Sequence, residues 1–290
     1  MNQVPPDPDP RMKPTGRSDS GRRAGEFPGH GMERRFVRGE LEGLQVMRKW
    51  LGAWVSTQSQ CMTKHIGIVG VSAEGAALCY RTVCLEGATT LGRHAHPEVT
   101  LHAYPFADYM RHFDAGNWDA VADLLLSSAV KLQSGGAELL VCPANTVHQA
   151  IDLVRDRSPL PWLHIAEEVA AVAAERHFKR LLVLGTRYLM ESPIYPAKLT
   201  QRGIQHEVPR REDRERINAL TFDELVYGEF KESTRSYFRS VIADGQHRGC
   251  DAAVLGCTEF PLLIGEADSV LPILDSTRIL ARAALREAVR

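Results

Sequence analysis

The segment Ala252–Pro261, with the sequence AAVLGCTEFP, decides the fold of this chain. Its apolar first half predicts a buried β-strand, and Pro261 prevents that strand from continuing. Gly256 lets the backbone bend where the strand ends, and Cys257 follows it directly. We interpret the segment as a buried strand that delivers a thiol to the edge of an α/β sheet, where such sheets bind their ligands.

Cys257 has two interpretations from this segment alone. A cysteine acts as a base or nucleophile only as the thiolate, which needs hydrogen-bond donors or positive charge nearby. Thr258 and Glu259 place polar groups beside the sulfur, and this favours a functional role. A free cysteine is commonly a small buried hydrophobe, so a packing role stays open at this point.

The composition is that of a globular protein, since 44% of the 290 residues are hydrophobic and 24% are charged. A net charge of −1 provides no long-range attraction to nucleic acid or to a membrane surface, so neither is expected as a partner. The six cysteines have no disulfide-scaffold spacing and no CxxC pair that would indicate zinc. Because no signal peptide is visible, we expect a cytoplasmic protein with free thiols and no metal site.

Residues 1–61 are expected to be an extension of the folded protein. Residues 1–30 are rich in Pro, Gly, Asp and Arg, which predicts disorder. Residues 33–58 have the apolar spacing of a short amphipathic helix. Met62 comes directly before the first predicted strand, so we interpret the extension as an upstream addition, with a regulatory or partner-binding arm as the alternative.

Strands alternate with helices from Lys64 to the end of the chain, which predicts parallel sheets covered by helices on both faces. The six main predicted strands fall into two sets of three, and a short seventh follows at 272–274. The two sets comprise residues 65–70, 99–103 and 137–142, and residues 181–185, 204–208 and 251–256. The third strand of each set runs into a polar tip that contains Thr. This weak repeat predicts two similar lobes with a ligand cleft between them.

The loop after the first strand does not carry a dinucleotide fingerprint. Gly67, Gly70 and Gly75 depart from the GxGxxG spacing, so no NAD site is expected. The helix that follows can still bind a small carboxylate at its N-terminus. Ser72 in this loop is a candidate contact for that carboxylate; without a GxSxG elbow it does not resemble a hydrolase nucleophile.

The two polar tips resemble those of the aspartate/glutamate racemase superfamily, whose members are cofactor-independent racemases. The resemblance covers residues 64–290 and is carried by Asn145–His148 and Gly256–Pro261, with support from Ile66–Gly70, Gly116–Asp119 and Asp275–Arg278. It implies two Rossmann-like lobes related by a pseudo-twofold, with the active site in the cleft between them. Lobe 1 would comprise residues 62–163 plus 276–290, and lobe 2 residues 164–275. The expected assembly is a homodimer.

The resemblance also implies an isomerase that racemises a small acidic amino acid of the aspartate or glutamate type, without pyridoxal phosphate or metal. In such enzymes two cysteines face opposite sides of the α-carbon, and one removes the α-proton while the other delivers a proton. The carbanion needs donors directed at its carboxylate. Asn145, Thr146 and Thr258 match the carboxylate-binding positions of the family. Thr186 matches a second-lobe position that could hold the ammonium or the side chain.

Three further side chains are candidates. Arg111 could bind a distal carboxylate bidentately, although arginines on such segments are commonly solvated. Glu259 could tune Cys257 or relay its proton, and the alternative is a carboxylate favoured by the N-terminus of a helix. His148 follows the first tip, where a structural hydrogen bond or a proton relay would suit it.

The chain departs from the family pattern at Ala144, which occupies the position of the first catalytic cysteine. Cys142 lies two residues earlier, and we expect it to be structural, whereas Cys257 matches the second cysteine. The second proton relay would then be water, Thr146 or His148, and an unassisted hydroxyl is a poor base. Two alternatives follow. One is a decarboxylase or isomerase of a small α-substituted carboxylate, for which one cysteine suffices; the other is an inactive ligand-binding relative.

Overall fold

The computed structural model describes residues 63–290. The extension predicted at residues 1–61 lies outside the described residues. Within them, every strand pairing is parallel, as the apolar strand patterning predicts. None of the helices in the described part of the chain is both long and apolar enough to cross a membrane.

The first sheet has the strand order β2-β1-β3. In chain order, this part of the protein comprises β1 (Ile66–Gly70), α1 (Ala73–Leu91), β2 (Val99–Ala103), α2 (Phe106–Ala115), α3 (Trp118–Ser134), β3 (Leu139–Val141), a 3-10 helix (Thr146–Ala150) and α4 (Ile151–Arg155). Asn117 caps α3, since its side chain accepts a hydrogen bond from the amide of Ala120. The segment after α4 forms a parallel bridge with β3 of the first sheet, between Leu140 and Trp162. The elements of the second sheet follow it along the chain.

The second sheet has the strand order β5-β4-β6-β7. Its elements are α5 (Ile165–Glu175), β4 (Arg180–Leu184), α6 (Arg187–Met190), α7 (Ile194–Thr200), β5 (Gln205–Glu207), α8 (Arg211–Asp223), a 3-10 helix (Leu225–Tyr227), α9 (Glu232–His247), β6 (Ala252–Leu255), α10 (Phe260–Leu263), a 3-10 helix (Glu266–Asp268), β7 (Ile273–Asp275) and α11 (Ser276–Ala288). The decisive strand β6 is fully buried between β4 and β7.

The two sheets repeat one order. In each, the first strand along the chain lies between the second and the third, as β2-β1-β3 and β5-β4-β6. The short strand predicted at 272–274 pairs with β6 as a fourth member, which the grouping into two sets of three did not include. The predicted α/β class with two parallel-sheet lobes is therefore confirmed.

The C-terminal helix α11 returns to the first sheet. It packs against α1 and α5, and its residues Leu280 and Ala284 belong to the same buried cluster as Ile66 and Ile68 of β1. The amide of Lys64 donates to the carbonyl of Ala288 over 2.8 Å. These contacts support the assignment of α11 to lobe 1, whereas the exact lobe boundaries and the homodimer stay predictions.

The polar and aromatic stretch 108–113 lies within the ten-residue helix α2. Tyr109 and Phe113 are buried one turn apart, so tertiary packing stabilises this helix. Gly116 ends it with a left-handed φ of 63°.

Candidate active site

A cavity lies where the carboxyl ends of strands from both sheets meet. Ser72 follows β1, Asn145 and Thr146 follow β3, Thr186 follows β4 and Cys257 follows β6, and all five line this cavity. Together with the open space at its mouth, the cavity encloses about 590 Å³. Its position is the one at which α/β sheets bind ligands.

Side chains from the two sheets contact each other across the cavity floor. Ser72 Oγ lies 3.0 Å from Thr258 Oγ1, and Thr146 Oγ1 lies 3.4 Å from Thr186 Oγ1. Ser72 also caps α1 by accepting a hydrogen bond from the amide of Gly75. The two hydroxyl pairs therefore mark the seam between the sheets.

Gly75 is required by this close approach. A Cβ atom at position 75 would lie 2.3 Å from Thr258 Cγ2, which is far inside van der Waals contact. The first turn of α1 therefore rests directly on the segment that carries Cys257. A larger residue at position 75 would separate the helix from that segment and displace the lining of the cavity.

Cys257 is paired with a buried carboxylate. Its side chain is partly exposed, and its thiol donates to Glu259 Oε2 over 2.9 Å. The Thr258 hydroxyl donates to the same oxygen over 2.8 Å, and Glu259 is only 4% exposed. Glu259 thus lies within proton-transfer distance of the sulfur, as the hypothesis of a tuning or relaying carboxylate requires.

The surroundings hold the Cys257 thiol in its protonated form. Burial raises its pKa, and the charge of Glu259 and the hydrogen bond to it raise it further. The backbone amides of Glu259 and Thr258 act in the opposite direction, but the resulting pKa lies well above the ordinary value. At neutral pH Cys257 is therefore a proton donor, and it becomes a base only after its own proton has moved away.

Asn145 connects several elements behind the cavity wall. Its amide nitrogen donates to Ser276 Oγ over 2.9 Å, and its oxygen accepts from the Tyr195 hydroxyl over 2.8 Å. Ser276 in turn donates to the carbonyl of Leu255 at the end of β6. Asn145 thus fixes the end of β3 against α7 and α11, which leaves only its second amide hydrogen free for a ligand.

Most of the predicted site residues come together in this cavity. Its lining includes Ser72, Ala144, Asn145, Thr146, Thr186, Cys257, Thr258 and Glu259. Arg111 is the exception, since its side chain is 73% exposed and pairs with Asp108 outside the lining. Arg111 therefore lies on the helix surface in a solvated ion pair with Asp108, and the structure does not support its predicted contact with substrate.

Cys142 and His148 lie behind the wall rather than in the cavity. Cys142 is fully buried in the core of the first sheet, and burial raises the pKa of its thiol to about 12. His148 Nε2 lies 2.9 Å from the Cys142 carbonyl oxygen, so this buried ring makes a structural hydrogen bond. The packing role expected for Cys142 matches this position, whereas His148 is not placed to act as a relay.

An apolar wall opposite the polar groups was missed by the sequence interpretation. It is formed by Phe106, Met110, Phe113, Tyr188, Phe222 and Val226. The Tyr188 ring centroid lies 5.9 Å from that of Phe113 and 6.5 Å from that of Phe222. The aromatic content of 106–113 was the available signal, but α2 comes from the first sheet and α6 and α8 from the second. Only the tertiary fold brings these helices together.

The cavity lining contains few charged side chains. Among the described residues that line the cavity there is no Lys, Arg or His side chain. Within residues 63–290, no three His, Cys, Asp or Glu side chains are grouped as metal ligands would be. The one carboxylate in the lining, Glu259, is the partner of Cys257.

Two buried histidines support the cavity wall from behind. The rings of His148 and His164 lie edge to face, with centroids 4.6 Å apart. Burial, followed by the charges of Lys198 and Arg155, lowers the pKa of His164 to about 3. Burial and the neighbouring His164 lower the pKa of His148 well below its usual value. Both rings are therefore neutral in the folded protein.

We expect the free energy of unfolding to decrease as the pH falls below about 6.5, the ordinary pKa of an unfolded histidine. The unfolded chain then binds protons that the folded chain excludes, at a cost of up to about 1.4 kcal/mol per pH unit for each histidine. His164→Asn should reduce this slope by about 1 kcal/mol per pH unit between pH 6 and 5. Asn retains a capping acceptor for the amide of Ala166, which now donates to His164 Nδ1. Urea denaturation from pH 7.5 to 5 measures the slope, and an unchanged slope in the variant would contradict the expectation.

Known proteins resemble this chain in sequence and in architecture. The family model described as Asp/Glu/Hydantoin racemase matches residues 66–284, a range that contains both sheets and the whole cavity lining. The broad specificity amino-acid racemase RacX of Bacillus subtilis (strain 168) is 25% identical over 190 residues, which are 65% of this chain and 80% of that protein.

Solved structures show the same architecture. A provisionally assigned Asp/Glu racemase from Yersinia pestis aligns with a TM-score of 0.72 at 32% identity, over 78% of this chain and 100% of that chain. An aspartate racemase homologue from Pyrococcus horikoshii OT3 aligns with a TM-score of 0.69 at 28% identity, again over 78% of this chain and 100% of that chain. Both alignments extend over the full length of the compared structures.

Proposed function

We propose, because the chain belongs to the Asp/Glu/Hydantoin racemase family, that it transfers a proton at the α-carbon of a small carboxylate and acts as a cofactor-independent racemase or epimerase through Cys257. One observation carries the proposal. A partly exposed thiol lies in a cavity at the seam of two sheets and donates to a buried carboxylate 2.9 Å away. That pairing provides an acid and an acceptor for its proton in one place.

The reaction can be written with this pair. The Cys257 proton moves to Glu259, and the resulting thiolate removes the α-proton of the substrate. The electron pair of the broken C–H bond moves into the carboxylate, whose oxygens need hydrogen-bond donors at that moment. Ser72 and Thr146 line the cavity with hydroxyls that can supply them, whereas the Thr258 hydroxyl donates to Glu259. A proton delivered to the opposite face of the α-carbon completes the inversion. The Cys257 thiol then releases the proton that it took from the substrate, and Glu259 returns its own proton to the sulfur.

The opposite face lacks a thiol, because Ala144 occupies the matching position. His148 is buried behind the wall, so two of the three expected relays remain, namely water and Thr146. Within the described part of the chain, the Thr186 hydroxyl is the one hydrogen-bond partner of the Thr146 hydroxyl. An unassisted hydroxyl is a weak base, and we therefore expect proton transfer on this face to be the slower half of the reaction.

The arrangement also supports a second candidate, a decarboxylase of α,α-disubstituted malonates. Loss of CO₂ leaves its bonding electrons on the α-carbon as an enediolate, and the Cys257 S–H bond then supplies one proton to that carbon. No base is needed, which suits a thiol whose pKa is raised and a position 144 without sulfur. Water returns the proton to the thiolate after the product has left.

Proton exchange in deuterium oxide separates these functions. The protein is incubated with both enantiomers of acidic and apolar α-amino acids, and separately with disubstituted malonates, and NMR records the α-proton signal and CO₂ release. A racemase replaces the α-proton with deuterium, and a decarboxylase releases CO₂ and places one deuterium in the product. Thermal stabilisation by these compounds with neither reaction would leave an inactive ligand-binding protein and refute the proposal.

Glu259→Gln is expected to move thiolate formation at Cys257 to lower pH. The substitution removes the negative charge that helps to raise the pKa of the thiol, while an amide still fits the space. The rate of alkylation of Cys257 by iodoacetamide, followed by peptide mass spectrometry, should reach half its maximum at least about one pH unit lower than in the parent protein.

The matched control is Glu212→Gln, which removes the same charge at an exposed position in the first turn of α8. It should leave the alkylation profile of Cys257 unchanged. If both variants shift the profile equally, or if Glu259→Gln raises the pKa, then Glu259 does not control the protonation of the thiol.

A further inference from the structure

The apolar wall of the cavity indicates which substituent the substrate carries. Four aromatic rings and two aliphatic side chains form it, as Phe106, Phe113, Tyr188, Phe222, Met110 and Val226. Phe113, Tyr188 and Phe222 form a continuous aromatic surface with centroid separations of 5.9 and 6.5 Å. Surfaces of this kind bind apolar groups by removing them from water.

The polar groups that can meet a ligand lie at the strand ends, since the Thr221 hydroxyl donates to the carbonyl of Ile217 and the Tyr188 hydroxyl donates to Asp114. Ser72, Thr146, Thr186 and the Cys257–Glu259 segment supply the hydroxyls, the thiol and the carboxylate of the lining. A ligand that places its carboxylate at these groups must direct its remaining substituent along the apolar wall. The cavity is therefore matched to a molecule with one polar end and one apolar end.

A second carboxylate would have no partner in this cavity. The described residues of its lining include no cationic side chain, and the hydroxyls at the strand ends would already bind the first carboxylate. Arg111 is exposed and paired with Asp108. Arg187 is exposed, and its guanidinium carbon lies over the Tyr188 ring at 5.4 Å from the centroid. Burial of an unpaired charge against aromatic rings is strongly unfavourable.

We propose that the substituent on the α-carbon of the substrate is apolar, an aromatic or branched aliphatic group, and that acidic amino acids are poor substrates. This inference rests on the proposed function, since it names the substrate class of the same site. It replaces the acidic side chain expected from the family resemblance by one that matches the lining.

Binding and turnover are measured separately, so that the two proposals can fail independently. Calorimetric titration compares phenylacetate with succinate, and deuterium exchange compares phenylglycine, phenylalanine and leucine with aspartate and glutamate. We expect phenylacetate to bind at least about tenfold more tightly than succinate, and the apolar amino acids to exchange faster by a similar factor.

Three outcomes have distinct meanings. Faster exchange of aspartate or glutamate, or tighter binding of succinate, overturns the apolar substituent and leaves the proton-transfer function intact. No exchange with any amino acid, together with tight binding of phenylacetate, refutes the proposed racemase and supports the apolar site. Equal binding of both acids contradicts the inference.

A charge placed on the wall provides an independent test. Val226 lines the cavity and is 37% exposed, so Val226→Arg can introduce a cation at the wall without burying it. The affinity for succinate relative to phenylacetate should rise by about tenfold. Val270 is 57% exposed outside the lining, and Val270→Arg is the matched control, with an unchanged ratio. An unchanged ratio in Val226→Arg would show that the wall does not face the substituent, and would overturn the inference.

Discussion

Cys257→Ala is expected to lower kcat/KM for α-proton exchange by at least about 10³-fold, the upper range of what a positioned acid–base group contributes. Cys257 is the one cysteine among the described residues that line the cavity, and its proton is directed at Glu259. Loss of the sulfur therefore removes both the acid and the base of the proposed reaction. Steady-state exchange kinetics with the preferred substrate measure the effect.

Cys142→Ala is the matched control, since it removes a thiol from a fully buried position behind the same wall. We expect activity within about threefold of the parent and a loss of stability of about 1 kcal/mol from the small cavity created. Thermal denaturation of both variants verifies that each is folded. If Cys142→Ala were as inactive as Cys257→Ala while folded, the first proton-transfer group would lie at Cys142 and not at the positions proposed above.

Ala144→Cys is expected to increase racemisation by about 10- to 100-fold, because it places a thiol where only a weak hydroxyl or water is available. Ala144 is partly exposed and lines the cavity from the first sheet, whereas Cys257 lines it from the second. Chiral chromatography of each enantiomer with time measures racemisation, and NMR in deuterium oxide measures exchange.

The double variant Ala144→Cys/Cys257→Ala separates a gain of chemistry from a gain of binding. Its rate of racemisation should be at most about tenfold that of Cys257→Ala, because only one of the two positions, 144 and 257, again carries a thiol. A folded Ala144→Cys variant with unchanged racemisation would place the missing relay elsewhere. Equal gains in the single and the double variant would show that the new thiol acts without Cys257.

Local sequence features predicted the elements that carry the polar half of the site. The apolar run before Cys257 and the Asn117 cap of α3 are short-range signals, and the structure contains the strand and the helix that they indicate. Ser72 and Thr146 follow strands of one sheet, whereas Thr186 and Cys257 follow strands of the other. The sequence-based grouping of Thr146 and Thr186 with Cys257 therefore came from the family resemblance, because the order of strands relates only residues at the edge of one sheet.

The apolar half depends on contacts between residues distant in the sequence. Phe113 and Tyr188 belong to different sheets, and no periodicity within either segment indicates that their rings meet. Arg111 was predicted as a substrate contact for the same reason. The sequence identified a suitable cation, but it did not show that the residue lies on the solvent-facing side of its helix. Side-chain direction on a helix depends on which face is buried, and for α2 the buried residues Tyr109 and Phe113 determine that face.

The repeated strand order has a stereochemical consequence. The third strand of each sheet leads to a matching position, Ala144 in one and Cys257 in the other, and both line a single cavity. In the proposed reaction, a substrate held between these two positions meets a thiol on one side only. Mirror-image substrates should consequently lose their hydrogen at unequal initial speeds, although both must approach the same final mixture.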